Sequence, residues 1–230
     1  MTFRNYFIII CILLSLLGCG KDSYTAIPET PTLHGIVVES GTESLLVASM
    51  DDYELYYVSR EDSVIYTTND CLKITYNGEI GNNEVTAKSI GKIEYSLVSM
   101  YLQIIDELML RNQGINSNAK TLSLNLKNCG LNEEEIKMIE DILKIRYGFQ
   151  EIIYNSYDEL FSQGLIKGEY PYFEDGLLIE IRQNVSDRDD IFTFDAMKYK
   201  GALAGYFMSD CVARHTKNGW IFEIGVEAIA

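Results

Sequence analysis

The fold turns on the stretch TAKSIGKIEYSLVSMYLQIIDEL, Thr86 to Leu108. Up to Tyr95 it reads as the last of several short strands. At Ser96 the apolar spacing switches from a period of 2 to one of 3.6, and Leu97, Tyr101, Ile104, Ile105 and Leu108 fall on one helical face. The switch divides the chain into a strand-rich part before it and a mixed part after it.

Working back from Thr86, strand signals fall at Leu33–Glu39, Ser44–Met50, Tyr53–Val58, Ser63–Thr67 and Cys71–Tyr76. Gly and Asn punctuate them at Ser40-Gly41 and Asn77-Gly78. Short strands at close spacing predict a five-stranded, OB-like barrel over residues 33–95, with Gly35 and Gly91 as bend glycines.

Working forward, Lys120–Lys127 alternates as a half-buried strand. Asn132 stands three residues before Glu135, a capping-box start for a helix that Tyr147-Gly148 ends. Glu151–Tyr154 is a short strand. Ser156 caps a small helix to Gln163, with Glu159 at its third position. Strands then dominate: Leu177, Ile179 and Ile181 alternate with Glu180 and Arg182, Asp190–Tyr199 and Gly201–Thr216 follow, and Asn218-Gly219 turns into a final strand from Trp220 to Ala228. Residues 96–230 are therefore expected to be an α+β domain, helices early and an antiparallel sheet late.

The amino terminus has its own grammar. Arg4 precedes an apolar run from Tyr6 to Leu17. That run is about a dozen residues, where a membrane-spanning helix needs roughly 20. It has the build of a signal peptide over residues 1–18. Leu16-Leu17-Gly18-Cys19 resembles a bacterial lipobox, which implies lipidation of Cys19 and cleavage just before it. Two acyl chains on that cysteine imply stable attachment to the extracytoplasmic face of the cell membrane. Residues 19–32 then read as the lipidated cysteine and a tether of at most roughly 40 Å.

Removal of residues 1–18 leaves 18 basic against 34 acidic residues, a net charge of −16. So acidic a chain is not expected to bind nucleic acid or anionic headgroups through its folded surface. The cysteines beyond Cys19 are Cys71, Cys129 and Cys211, with no CxxC. They read as three buried thiols, with a Cys129–Cys211 bridge as the alternative.

Chemistry-bearing motifs are sparse. There is no GxGxxG, GxxxxGK[ST], HExxH or GxSxG, and His34 and His215 are too few for a multi-histidine zinc site. Cys211 and His215 lie about 13 Å apart along a strand, too far for a nucleophile–base pair. His34 reads as a surface residue. Asn184, Asp187, Asp189 and Asp190 could gather oxygens for Ca²⁺ but match no calcium loop and read as a solvated hairpin tip. Glu174-Asp175 reads as a turn, and no carboxylate pair stands out for glycoside hydrolysis. No catalytic residue, metal site or cofactor is assigned. Tyrosines crowd the barrel, and Tyr53, Tyr56 and Tyr57 are the candidate ligand-binding residues, as stacking platforms for sugar rings.

The stretches HGIVVES, LLVAS, CLKITYNGEI and TAKSIGKI resemble a small β-barrel domain of unknown function found in lipoproteins of Gram-positive-type bacteria. YLQIIDEL (Tyr101–Leu108) and FTFDAMKYKGALAGYFMSDCVARHTKNGWIFEIG (Phe192–Gly225) are similar to its companion domain. The resemblance implies a cell-envelope lipoprotein and carries over no catalytic residue. The expected role is a membrane-anchored binding or interaction module for a protein or cell-wall partner. An extracytoplasmic hydrolase using carboxylates and a structural spacer are the alternatives.

Overall fold

The computed structural model describes residues 30–78, 80–94, 96–126, 129–184, 191–216 and 219–230, and residues 31–230 form one compact unit. The expected signal peptide, Cys19 and the tether up to residue 29 lie outside the described residues. So do Asp187, Asp189 and Asp190. No helix among the described residues is long and apolar enough to cross a membrane.

Five strands close into a barrel: β1 (Thr32–Ser40), β2 (Ser44–Ser49), β3 (Leu55–Ser59), β4 (Cys71–Tyr76) and β5 (Glu84–Lys92). The order is β1-β2-β3-β5-β4, closing on β1, with only β3 and β5 parallel. This order fits an OB-like barrel. Gly35 lies where β1 crosses β2: a Cβ there would meet Val47 Cγ1 at 2.4 Å and Ala48 O at 2.7 Å. Gly91 has no such neighbour. Side chains alternate along β1, so Val37 enters the barrel interior while Val38, next in the chain, points out of it into a second core, and the register with β2 shifts between Val37 and Glu39.

The expected strand at Ser63–Thr67 is a loop. Its β-branched residues find no sheet neighbour, and the Arg60 guanidinium takes up the local acceptors. Arg60 Nη1 donates to Asp62 Oδ1 and Val64 O, both at 2.5 Å, and Nη2 donates to Gly41 O at 3.1 Å. The same guanidinium lies over the Tyr66 ring.

Ser96 does start a helix, α1 (Leu97–Leu110), with its Oγ accepting from Ser99 N–H. The other helices are α2 (Glu133–Tyr147) and α3 (Tyr157–Ser162). Both carry the expected capping boxes, Asn132 with Glu135 and Ser156 with Glu159. Gly148 ends α2 in the left-handed region, at φ 71°.

The second sheet is built from β6 (Thr121–Asn125), β7 (Glu151–Ile153), β8 (Ile166–Lys167), β9 (Tyr172–Phe173), β10 (Gly176–Asn184), β11 (Ile191–Gly201), β12 (Ala204–Thr216), β13 (Gly219–Glu223) and β14 (Val226–Ile229). Its main path runs β13-β12-β11-β10-β6-β7. Its late strands β10 to β14 pair antiparallel, as expected, and the earlier β6 makes the whole sheet mixed by pairing in parallel with both β10 and β7. β6 is buried on both faces rather than half-buried. The expected final strand breaks at Ile224-Gly225, where Gly225 passes too close to Asp210 O to admit a side chain. Strands outweigh helices throughout, so the α+β arrangement expected of residues 96–230 is not cleanly realised.

Barrel and sheet share one core. Ile36, Val38 and Cys71 from the barrel pack with Tyr101, Ile104 and Ile105 of α1, Ile139 of α2 and Phe194 of β11. The change of period at Ser96 is a change of element, not a gap between cores. The Cys129–Cys211 bridge is not formed. Cys129 Sγ donates to Ile181 O, Cys211 Sγ donates to Ser209 O, and burial raises both thiol pKa values.

Candidate functional site

The three candidate tyrosines do not converge. β3 alternates, so Tyr56 faces the barrel core while Tyr57 faces out, 61% exposed. The Tyr56 hydroxyl donates to Asp52 Oδ2 at 2.5 Å, and that bond, with burial, pushes its pKa up to about 12. Tyr53 sits in the preceding turn at φ 63°. Tyr57 lines a cleft of about 390 Å³ with Ser44, Ser59, Glu84 and Thr86. It is one aromatic plate among hydroxyls, not a stacking array.

His34 is a surface residue, with Nδ1 3.3 Å from Asp51. His215 packs edge-on against Trp220, and Cys211 is buried with its thiol turned to Ser209 O, so they form no dyad. Among the described residues no group of three or more His, Cys, Asp or Glu is placed to hold a metal ion.

Two grooves lie where sequence reasoning placed nothing. The first opens at the carboxyl ends of the parallel strands, where open sheets with flanking helices place their clefts. β7 stops pairing at Ile153 opposite Ser123, while β6 continues to Asn125 against β10. The step leaves a cavity of about 460 Å³ floored by Leu124, Leu126 and Ile136 and rimmed by Glu133, Lys137, Glu140 and Tyr154. Glu140 is the hub of the rim. Lys144 Nζ donates to Oε1 at 2.5 Å, Lys137 Nζ to Oε1 at 3.1 Å and Tyr154 OH to Oε2 at 2.5 Å. Burial pushes the Glu140 pKa up, but the three donors outweigh it and hold the carboxyl at about 2. A group so far below neutrality is a poor general acid or base.

The second groove runs over the sheet face turned away from α1. Side chains alternate across each strand, so Ile179 and Ile181 enter the core while Glu180 and Arg182 face this groove. Register places Glu180 beside Met197, Met197 beside Phe207, and Arg182 beside Asp195. The groove has two lobes. One, of about 270 Å³, is lined by Glu180, Arg182, Asp195, Met197, Phe207 and Ser209. The other, of about 300 Å³, is lined by Tyr157, Tyr199, Ser156 and Asp158 and shares Arg182, Met197 and Phe207 with the first.

A deeply buried carboxylate positions the cation of this groove. Glu180 is 2% exposed, accepts from Asn125 Nδ2 at 2.9 Å on Oε2, and receives Arg182 Nε and Nη2 on Oε1. The Arg182 side chain is 71% exposed, so the guanidinium is held at its inner edge and open at its outer one. Asp195 accepts the Asp210 N–H at 2.9 Å and has no ion-pair partner among the described residues. Sequence reading placed Glu180 and Arg182 on the polar face of their strand. The available signal was their opposite charge at positions i and i+2 beside a strand carrying Asp195 and Met197.

No protein-family model matches this chain, and no curated protein matches it either.

Proposed function

We propose that this chain is an extracytoplasmic binding module, held at the membrane surface by a lipidated Cys19 and presenting a recognition groove to a soluble or wall-derived ligand. The barrel is taken as OB-like and the remainder as an α+β layer built onto it. The resemblance of Leu16–Cys19 to a lipobox supports the address.

One observation carries the binding role: Arg182 is held in an open groove by a buried carboxylate that Asn125 in turn anchors. Fixed charges beside an apolar floor recognise a ligand without bond-breaking chemistry. In the neighbouring cleft Glu140 is engaged on both oxygens and ionised far below neutral pH, which favours recognition over acid–base turnover there too.

The test has two arms. Cys19→Ala should move the protein from the membrane fraction or leave it uncleaved; a mature-sized, lipid-labelled product from that variant refutes the anchor. Crosslinking in intact cells followed by recovery of the tagged chain should yield a ligand or partner, and recovery should fall for Arg182→Gln. Turnover of wall glycans or peptides by the purified chain, abolished by Glu180→Gln, would replace binding with hydrolysis.

A further inference from the structure

The groove on the open sheet face carries two opposite charges that do not neutralise each other. Arg182 and Asp195 are direct cross-strand neighbours. Such neighbours stand with Cβ atoms about 5 Å apart and ordinarily pair when oppositely charged. Here the guanidinium turns along its own strand to Glu180. A guanidinium has five N–H donors. Glu180 takes the Nε hydrogen and lies against Nη2, while Nη1 bonds to no described residue on a side chain that is 71% exposed. Asp195 stands beside it, accepting from Asp210 N–H at 2.9 Å and from Asn184 Nδ2 at 3.5 Å.

We infer that this groove binds a free α-amino acid as its zwitterion, with the ligand carboxylate on Arg182, the ammonium on Asp195, and a large apolar or aromatic side chain over Met197 and Phe207 toward Tyr157 and Tyr199. This rests on the binding role proposed above and names its ligand class. A carboxylate matches the planar donor edge of Arg182, and a charge-assisted pair of this kind is stronger than a neutral hydrogen bond. The size fits, because one lobe of about 270 Å³ adjoins a second of about 300 Å³ across a shared wall. The second lobe is aromatic: Tyr157 stands edge-on to Tyr199 with ring centroids 5.2 Å apart. The two lobes lie along β11, with Asp195 at one end and Tyr199 two pleats away, about 13 Å. Glu180 is a positioning residue, acting through Arg182.

The experiment is titration calorimetry on the full chain purified in detergent, with L-phenylalanine, L-leucine and L-methionine as probes. At least one should bind saturably below about 1 mM. The blocked forms of that ligand, N-acetylated and C-terminally amidated, should each bind at least 10-fold more weakly. Arg182→Gln should bind the amino acid at least 10-fold more weakly and lose its preference over the amide. Asp195→Asn should lose its preference over the N-acetyl form. Near-UV circular dichroism confirms that both variants are folded. No saturable binding by any probe, equal binding of a blocked form, or unchanged selectivity in the folded variants overturns the inference. Loss of ammonium selectivity in Asp158→Asn instead of Asp195→Asn overturns the assignment of Asp195. If crosslinking still recovers a partner while every titration is flat, the zwitterion site falls and the binding module stands.

Discussion

Arg146 and Asp106 meet where the barrel joins the sheet, with Nη1 of one 3.0 Å from Oδ2 of the other. The same guanidinium donates to Val37 O at 2.9 Å, to Val38 O at 3.2 Å and to Asn69 Oδ1 at 2.8 Å. Tyr147 OH adds a bond to Asp106 Oδ1 at 2.7 Å. One side chain on α2 thus satisfies carbonyls of the β1 bulge and a carboxylate on α1. Arg146→Met removes these donors and leaves Asp106 with its Tyr147 and Asn69 bonds but without its cation. The expected loss is about 3 kcal/mol, read as a lower urea midpoint. An unchanged midpoint would show that the pair contributes nothing to joining the two layers.

Lys198 gives the fold a basic-side pH dependence. It is fully buried, donating to Arg111 O at 2.5 Å and Asn116 Oδ1 at 2.8 Å past the end of α1. Burial pushes its pKa down to about 8 from 10.5. Between those values the unfolded chain binds more protons than the folded one, so this group makes stability rise with pH across that window. The difference in unfolding free energy between wild type and Lys198→Met should change in that sense from pH 8 to 10. A constant difference would remove the assignment.

Glu140 acts on the acid side. Its folded pKa of about 2 lies below the ordinary 4.5, so its contribution is present above pH 4.5 and is lost as pH falls toward 2. Glu140→Gln should cost about 1–2 kcal/mol at pH 7. The gap to wild type should narrow in urea titrations below pH 4. A gap independent of pH would mean that the variant acts through packing alone.

The two bend glycines of the barrel should separate cleanly. Gly35→Ala drives a methyl into Val47 and the Ala48 carbonyl. It should cost about 2 kcal/mol in thermal or urea unfolding. Gly91→Ala meets open space. It should change stability by no more than about 0.5 kcal/mol. Equal effects at the two positions would contradict the close crossing of β1 over β2.

Local signals in the chain were strong where one short-range interaction decides the outcome. Ser96, Asn132 and Ser156 announce their helices because a cap needs only the next three residues. Cys71–Tyr76 alternates cleanly and is a strand with those bounds. Ser63–Thr67 is also rich in strand-forming residues, but whether an extended segment joins a sheet depends on a partner strand, and Arg60 offers a competing set of bonds. The mixed character of the second sheet was hidden for the same reason: parallel pairing of β6 with β10 joins residues 55 positions apart. The site was least legible. Glu180 and Arg182 read as an ordinary solvent face until register put Asp195, Met197 and Phe207 beside them. The tyrosines misled in the opposite direction, because Tyr56 and Tyr57 are adjacent in sequence and therefore point to opposite sides of β3.

The alternation at Val37-Val38 makes β1 a rivet. Two consecutive valines plug two separate interiors, one inside the barrel and one beneath the sheet. Inserting or deleting a single residue there would swap the plugs and spoil both at once. Neither half can drift independently in sequence at that point, and under calorimetric heating the body from residue 31 onward should melt as a single cooperative piece.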